Sequence, residues 1–116
     1  MPHFRIECSE NLLKRKSADT LMQKVYDTAE DSGLFKQGDI KVRINSFKYY
    51  KLGDTKKDFI HVFANIMEGR TATEKNMLSR EIVSVLKSIF PEVAVISMNV
   101  GDFKKEGYFN KFMLDT

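Results

Sequence analysis

Apolar residues along this chain follow two different periods, and each change of period marks a predicted element. Residues 2–8 alternate between apolar and polar side chains, which predicts a β-strand. Apolar residues then recur every four positions at Leu21, Val25 and Ala29, which predicts an amphipathic helix. Ser17 precedes this stripe and is a suitable N-cap residue. The chain is therefore predicted to begin as a strand followed by a helix.

Two more strands are predicted in the middle of the chain. Residues 40–50 alternate again, with Ile40, Val42 and Ile44 on one face, and residues 51–54 are typical of a turn. Residues 58–67 are nearly continuously apolar. Such a run is typical of a central strand that is covered on both faces.

A second helix and a last strand complete the pattern. Residues 71–74 read Thr-Ala-Thr-Glu, a capping-box sequence that predicts a helix start. Pro91 cannot continue a helix, so the helix is expected to end just before it. Residues 93–100 are predicted to form the last long strand. The remainder, residues 101–116, is polar and mixed.

The order strand, helix, strand thus occurs twice, and each half is predicted to be one βαβ unit. Two such units form an α+β fold, a four-stranded sheet with helices near residues 17–33 and 72–90 on one face, plus short extra strands. A length of 116 residues is enough for a single domain over residues 1–116 and too short for two. The other sheet face then stays uncovered, so self-association is expected.

Composition narrows the classes of function. No apolar run reaches the ~18 residues of a membrane span, and no basic segment followed by an apolar stretch marks a secretory signal. Cys8 is the only cysteine, which fits a reducing cytoplasm, and one Cys with two His does not make a structural zinc site. The net charge of +3 is mild, whereas a nucleic-acid partner would call for a stronger basic field. We therefore expect a cytoplasmic protein without a membrane, nucleic-acid or metal partner.

The pair Met1-Pro2 carries the strongest chemical signal in the sequence. Removal of an initiator Met before a small residue would leave Pro2 with a secondary amine. A free α-amino group has a pKa near ~7.7–8.0, and burial or a neighbouring cation would lower it further. A nitrogen of that kind is suited to general base catalysis near neutral pH. For an arbitrary chain Pro2 would be only the second residue, but here the predicted strand anchors it to a sheet.

The chain resembles the tautomerase superfamily, and within it the 5-carboxymethyl-2-hydroxymuconate isomerase family. The matching blocks are Pro2-His3-Phe4, Glu7-Cys8-Ser9, Gly33-Leu34-Phe35, Ile40-Lys41-Val42-Arg43, Phe59-Ile60-His61-Val62 and Gly69-Arg70-Thr71. The amino-terminal block is specific for the family. Each later block is a weak match by itself, and these blocks support the resemblance because they occur in the same order as in the family. The resemblance implies a double βαβ fold of the MIF-like type, a homotrimer, and Pro2 as general base. It also implies that no metal and no organic cofactor takes part.

The resemblance further implies the reaction, a proton transfer that converts a 2-hydroxy-2,4-dienoate into its 2-oxo isomer during aromatic compound catabolism. A small-molecule carboxylate substrate of this kind needs cations beside it. Arg43 and Arg70 match arginines of the family, and Lys41 stands where the family typically has an arginine. Lysine keeps the charge but loses the fork that grips a carboxylate at two points. Without the resemblance, Arg43 would be read as an exposed strand residue and Arg70 as a loop residue before a helix.

Other functions stay open on the sequence alone. The superfamily that the chain resembles also includes dehalogenases, decarboxylases and hydratases that use the same proline, and Glu106 and Tyr108 are the candidates to activate water in such a reaction. A non-enzymatic trimeric binding protein is the third possibility. His3 and His61 follow the strand alternation and are interpreted as structural histidines, and Cys8 is interpreted as a small buried apolar residue.

Overall fold

The computed structural model describes residues 1–54 and 57–115. Its strands and helices are β1 His3–Ser9, α1 Ala18–Asp31, β2 Lys41–Phe47, β3 Phe59–Met67, α2 Ala72–Ile89 and β4 Val95–Phe103. Short 3-10 helices lie at Glu10–Lys14, Lys105–Gly107 and Lys111–Asp115. None of the helices in this described part of the chain is long and apolar enough to cross a membrane.

Both long helices begin at the caps that the sequence predicts. The Ser17 hydroxyl accepts a hydrogen bond of 3.1 Å from the amide of Thr20, at the start of α1. At the start of α2, the Thr71 hydroxyl accepts from the Glu74 amide at 3.1 Å. The Glu74 carboxylate in turn accepts from the Thr71 amide at 2.8 Å. These bonds satisfy amide donors that have no partner within the helix, and so they fix where each helix starts.

The sheet has the strand order β2-β1-β3-β4. Strand β1 pairs parallel with β2, and β3 pairs parallel with β4, so each half of the chain is one βαβ unit. The two units meet through the antiparallel pair of β1 and β3. As a result, the beginning of β1 and the ends of β3 and β4 lie at the same end of the sheet.

Both helices cover the same face of the sheet, as predicted. One side of β1 and β3 is fully enclosed, and α1 and α2 pack against each other over it. The enclosed residues of the two central strands are Phe4, Ile6, Cys8, Ile60, Val62, Ala64 and Ile66. The helices contribute Leu21, Val25, Ala29, Leu78, Ile82 and Leu86 to this core. Burial of such apolar side chains is the main favourable term in folding.

Three sequence predictions about the strands are wrong in detail. Strand β2 ends at Phe47, three residues before the predicted end at residue 50. Strand β3 buries alternate residues, so in the single chain it is covered on one face, with His61 and Asn65 on the other. Strand β4 runs over Val95–Phe103 instead of 93–100, because its pairing with β3 continues to the end of that strand. The short extra strands that were predicted are not formed within the described residues, where only an isolated β-bridge is present, at Leu52.

Candidate active site

Pro2 is buried at the start of β1, where strand pairing fixes its position. The amide of Lys41 donates a hydrogen bond of 3.0 Å to the carbonyl of Pro2. The parallel register of β1 and β2 places His3 opposite Lys41 and Arg5 opposite Arg43. The backbone thus holds residue 2 beside the first residues of β2, which supply two of the predicted cations.

Lys41 directs its charge towards the amino terminus of the chain. Its Nζ donates a hydrogen bond of 2.8 Å to the carbonyl of Asp39 and lies 3.1 Å from Sδ of Met1. The Asp39 carboxylate lies 3.9 Å from this ammonium and 3.8 Å from the α-amino group of Met1. The side chain of Lys41 therefore folds back over the residue that precedes Pro2.

Arg43 is held by a histidine on the neighbouring strand. Its Nη1 lies 3.1 Å from Nδ1 of His3. A guanidinium has only donors, so Nδ1 of His3 accepts and the ring proton resides on Nε2. Burial lowers the pKa of His3, and Arg43, Lys41 and the terminal amine lower it further, while Asp39 acts in the opposite direction. His3 is therefore a neutral imidazole among cations.

Arg70 has a different environment from Lys41 and Arg43. Its Nη1 donates to the carbonyl of Met67 at 3.2 Å, and its Nη2 donates to the carbonyl of Leu34 at 2.7 Å. The guanidinium lies 5.1 Å from the centre of the Phe35 ring. Phe35 in turn packs edge-on against Phe4, two residues after Pro2, with ring centres 6.0 Å apart. Arg70 thus ties the end of β3 to the segment after α1.

The structure therefore brings together some of the predicted site residues and separates another. Pro2, Lys41 and Arg43 lie near the start of the paired strands β1 and β2. Arg70 connects to β1 only indirectly, through the contact between Phe35 and Phe4. A cluster of cations favours an anionic ligand by direct charge attraction. Among residues 1–54 and 57–115, no three His, Cys, Asp or Glu side chains come together as a group that could hold a metal ion.

A groove that the sequence pattern does not predict lies next to His3. It has a volume of about 390 Å³ and is lined by His3, Asn65, Phe103, Lys104, Gly107 and Tyr108. It forms because β1 begins where β3 and β4 end, which the strand order fixes. A prediction that β4 reaches Phe103 would have placed these residues beside His3. The predicted end at residue 100 left them in the tail.

Proteins of similar sequence or structure share one fold. A 5-carboxymethyl-2-hydroxymuconate Delta-isomerase of Escherichia coli is 26% identical over 92 residues, which cover 78% of this chain and 73% of the relative. The crystal structure of a 5-carboxymethyl-2-hydroxymuconate isomerase from Deinococcus radiodurans R1 matches with a TM-score of 0.81 at 24% identity, over 95% of this chain and 88% of that chain.

A structure described as a W0 fused 4-OT wild-type symmetric trimer matches with a TM-score of 0.78. It is 12% identical, and the match covers 95% of this chain and 94% of that chain. The family described as 5-carboxymethyl-2-hydroxymuconate isomerase matches residues 2–111, which is almost the whole chain. The protein therefore belongs to the 5-carboxymethyl-2-hydroxymuconate isomerase family, with the fold of the tautomerase superfamily.

Proposed function

We propose that this protein is a cofactor-free tautomerase that converts an unsaturated 2-hydroxy carboxylate, of the 5-carboxymethyl-2-hydroxymuconate type, into its 2-oxo isomer. The observation that carries the proposal is the position of Pro2, buried at the start of β1 and flanked by Lys41 and the His3–Arg43 pair. The family membership supplies the reaction class.

Pro2 becomes a base only after Met1 is removed. With Met1 attached, the nitrogen of Pro2 is a tertiary amide without useful basicity. After removal it is a secondary amine, and the bond from the Lys41 amide to the Pro2 carbonyl still holds it in the sheet. The neighbouring cations disfavour a protonated amine, so its pKa is expected below the ~7.7–8.0 of a free α-amino group. Such an amine takes a proton from the 2-hydroxy dienoate and returns it to a carbon further along the conjugated chain.

Lys41 and Arg43 are the cations proposed to bind the substrate carboxylate and to stabilise the enolate that develops. Lys41 has Sδ of Met1 as one neighbour, and this contact disappears when Met1 is removed. Arg43 uses Nη1 for His3, which leaves other donors of its five for a carboxylate. Charge-assisted bonds of this kind strengthen as negative charge builds on the substrate oxygen, which is how they lower the barrier.

Arg70 is proposed as a third cation that both binds the substrate and stabilises the fold. Two of its donors already bind the carbonyls of Met67 and Leu34, so it holds the end of β3 in place. The remaining donors and the positive charge are available to a substrate that reaches past the Phe35–Phe4 pair. Its contribution to binding is therefore coupled to its contribution to stability.

We also propose that the protein works as a homotrimer. The sheet face opposite the helices carries half-exposed residues such as Phe63 and His61, together with Arg5, whose guanidinium lies 4.6 Å from the centre of the Phe63 ring. A neighbouring trimeric structure of the same fold supports the number three. Light scattering should report three chains per particle, and a stable monomer at micromolar concentration would contradict this part of the proposal.

The activity itself is tested by following the ultraviolet absorbance of conjugated enols. Processed wild-type protein and Pro2→Ala are compared on 5-carboxymethyl-2-hydroxymuconate, 2-hydroxymuconate and phenylenolpyruvate, and mass spectrometry verifies the amino terminus of each sample. The expected result is ketonisation of at least one enol above the spontaneous rate, with a much lower kcat for Pro2→Ala. A processed wild-type protein that accelerates none of the three would contradict the proposed function.

A further inference from the structure

The outer surface of the two long helices carries a groove that the proposed reaction does not use. It lies between α1 and α2 and has a volume of about 750 Å³. Its lining residues on α2 run from Thr73 to Ser88, which corresponds to roughly 22 Å at 1.5 Å per residue. Both helices cover one face of the sheet, and the proposed trimer uses the other face. The groove is therefore open to solvent in the single chain and in the trimer alike.

The floor of this groove is apolar and adaptable. Leu78 is almost fully buried there, and Leu34 and Val85 are half-buried beside it. Met77 lies on the rim and leaves 49% of its surface exposed. A methionine side chain is flexible and fits partners of different shape, which suits it to a contact surface. The groove thus offers an apolar strip about as long as four turns of a helix.

The hydroxyl groups beside this strip are already satisfied within their own helices. Thr28 Oγ1 donates a hydrogen bond of 2.7 Å to the carbonyl of Lys24 on α1. On α2, Ser88 Oγ donates to the carbonyl of Ser84 at 3.1 Å. An apolar side chain can therefore cover them without leaving a donor unpaired.

The polar part of the groove is negatively charged. Asp31, Glu74 and Glu81 line it, and no lysine, arginine or histidine of residues 1–54 and 57–115 does so. Within that part of the chain, the carboxylates of Asp31 and Glu81 have no hydrogen-bond or ion-pair partner. Only Glu74 is engaged, through its bond from the Thr71 amide. The groove therefore favours a cationic ligand by charge attraction.

The position of Asp31 strengthens this argument. It is the last residue of α1, and the last turn of that helix contains no basic residue. The carbonyl end of a helix carries a partial negative charge, so a carboxylate there is unfavourable for the isolated helix. A cation from outside the chain would offset both charges at once. A local rule of this kind is broken most often at functional sites.

We propose that the groove between α1 and α2 docks an amphipathic helix of a partner protein. Its aliphatic side chains would cover Met77, Leu78 and Val85, and its lysines or arginines would pair with Asp31 and Glu81. The same carboxylates repel nucleic acids and anionic lipid surfaces, which excludes these as occupants. The docking site is separate from Pro2, so this inference does not depend on the proposed reaction.

Fluorescence anisotropy with a labelled model helix tests the docking. The probe is a synthetic peptide of about 18 residues, with leucines along one helical stripe and lysines beside it. Wild-type protein should bind it saturably, and the affinity should fall as the salt concentration rises, because charge pairs at the rim are screened. A control peptide that keeps the leucines but carries glutamates in place of the lysines should not bind. Absence of saturable binding, or equal binding of both peptides, would overturn the proposal.

Substitutions in the groove locate the contact. The double variant Asp31→Asn, Glu81→Gln should bind the lysine peptide about fivefold or more weakly. Met77→Gln should have a similar effect, because it replaces an exposed apolar side chain with an amide. Glu10→Gln is the matched control: it removes an exposed carboxylate outside the groove and should bind normally. If the double variant binds as tightly as wild type, the charge pairing is wrong.

A stability measurement excludes unfolding as the cause of weaker binding. The double variant should be at least as stable as wild type in urea, since it removes a negative charge from the carbonyl end of α1. Amide NMR shifts caused by the lysine peptide should concentrate in residues 28–34 and 73–88. Shifts confined to the sheet or to the tail would place the binding elsewhere and contradict the proposal.

Light scattering without peptide decides whether a second copy of this chain is the occupant instead. Wild-type protein and the double variant should form particles of the same size, since the carboxylates are reserved for another protein. A larger wild-type particle that shrinks when Asp31 and Glu81 are neutralised would make a second copy the occupant. That result would refute the proposal of a partner helix.

Discussion

Lys41 lies directly opposite His3 in the parallel pair of β1 and β2, and its amide donates to the carbonyl of Pro2 at 3.0 Å. One residue thereby has two separable roles. Its backbone fixes the amino terminus, and its ammonium supplies charge next to it. Only the second role is removed by a side-chain substitution, so the electrostatic part can be measured without loss of the strand pairing.

Replacement of Lys41 should therefore weaken catalysis without unfolding the protein. Lys41→Ala should reduce kcat/KM by an amount equivalent to roughly 1.5–3 kcal/mol, the value for a hydrogen bond to a charged group. Lys41→Arg keeps the charge and restores the fork geometry, so it should retain or raise activity. Lys36→Ala removes an exposed cation from the preceding loop and serves as the control. Equal activity of Lys41→Ala and wild type would remove this side chain from the site.

Arg43 and Arg70 should respond differently to the same substitution. Either Arg→Ala change should raise KM, at a cost of roughly 1.5–3 kcal/mol in binding. Arg70→Ala should also lower the free energy of unfolding by about 1–3 kcal/mol, because the carbonyls of Met67 and Leu34 lose their donors. Arg43 is exposed, and within the described part of the chain its side chain bonds only to His3, so Arg43→Ala should be nearly neutral in stability. Urea unfolding measures the difference, and unchanged kinetics for both variants would exclude them from substrate binding.

The sequence predicted the parts of the fold that depend on local chemistry. The caps at Ser17 and Thr71 follow from side chains that satisfy free amides within three residues. The two βαβ units follow from the change between strand and helix periods. The end of β4 was predicted wrongly, because Gly101 and Asp102 have little strand propensity of their own. They are held extended by pairing with Asn65 and Ile66 of β3, a contact between distant parts of the chain.

The same distinction applies to the site. Lys41 and Arg43 lie two residues apart on one strand and therefore on the same face. Their shared position near the start of β1 was predictable once the strand pairing was assumed. The contacts of Arg70 were not, since they depend on how the end of β3 meets the segment after α1. His3 was interpreted as structural, and its hydrogen bond with Arg43 fits that interpretation. Its place at the base of a groove becomes visible only when the tail is in position.

Cys8 should be unreactive in the folded protein. Its side chain is fully buried, and this burial, together with the nearby charge of Asp58, raises the pKa of the thiol to about 11. The neutral thiol favoured by the fold contributes stability below pH ~8.5, the usual pKa of a free thiol, and this contribution is lost as pH rises through 11. At pH 8, Ellman's reagent should label native protein far more slowly than protein in urea. Rapid labelling of the native state would show that the thiol is accessible.

His3 should make the protein less stable in mild acid. Because burial and the nearby Arg43 and Lys41 lower its pKa, the folded state binds a proton less readily than the unfolded chain, whose histidine has a pKa near ~6.5. Its contribution is present above that value and is lost as pH falls below it. Between pH 7.5 and pH 5.5, wild type should lose more unfolding free energy than His3→Gln, measured by urea denaturation. Equal losses in both proteins would show that His3 does not titrate differently in the two states.

Activity should depend on a free Pro2 amine, and the amino terminus can be varied without touching the rest of the chain. One preparation carries an uncut amino-terminal tag, and a second is released by a protease that leaves Pro2 first. The tagged form should be inactive, because its nitrogen is an amide and the extra residues occupy the place of the substrate. The released form should be active. Its kcat/KM should rise with pH as the amine loses its proton, with an apparent pKa below the ~7.7–8.0 of a free α-amino group. Circular dichroism should show the same fold in both samples. Full tautomerase activity in a sample verified by mass to retain residues before Pro2 would defeat the mechanism, since no basic nitrogen would then be present at that position.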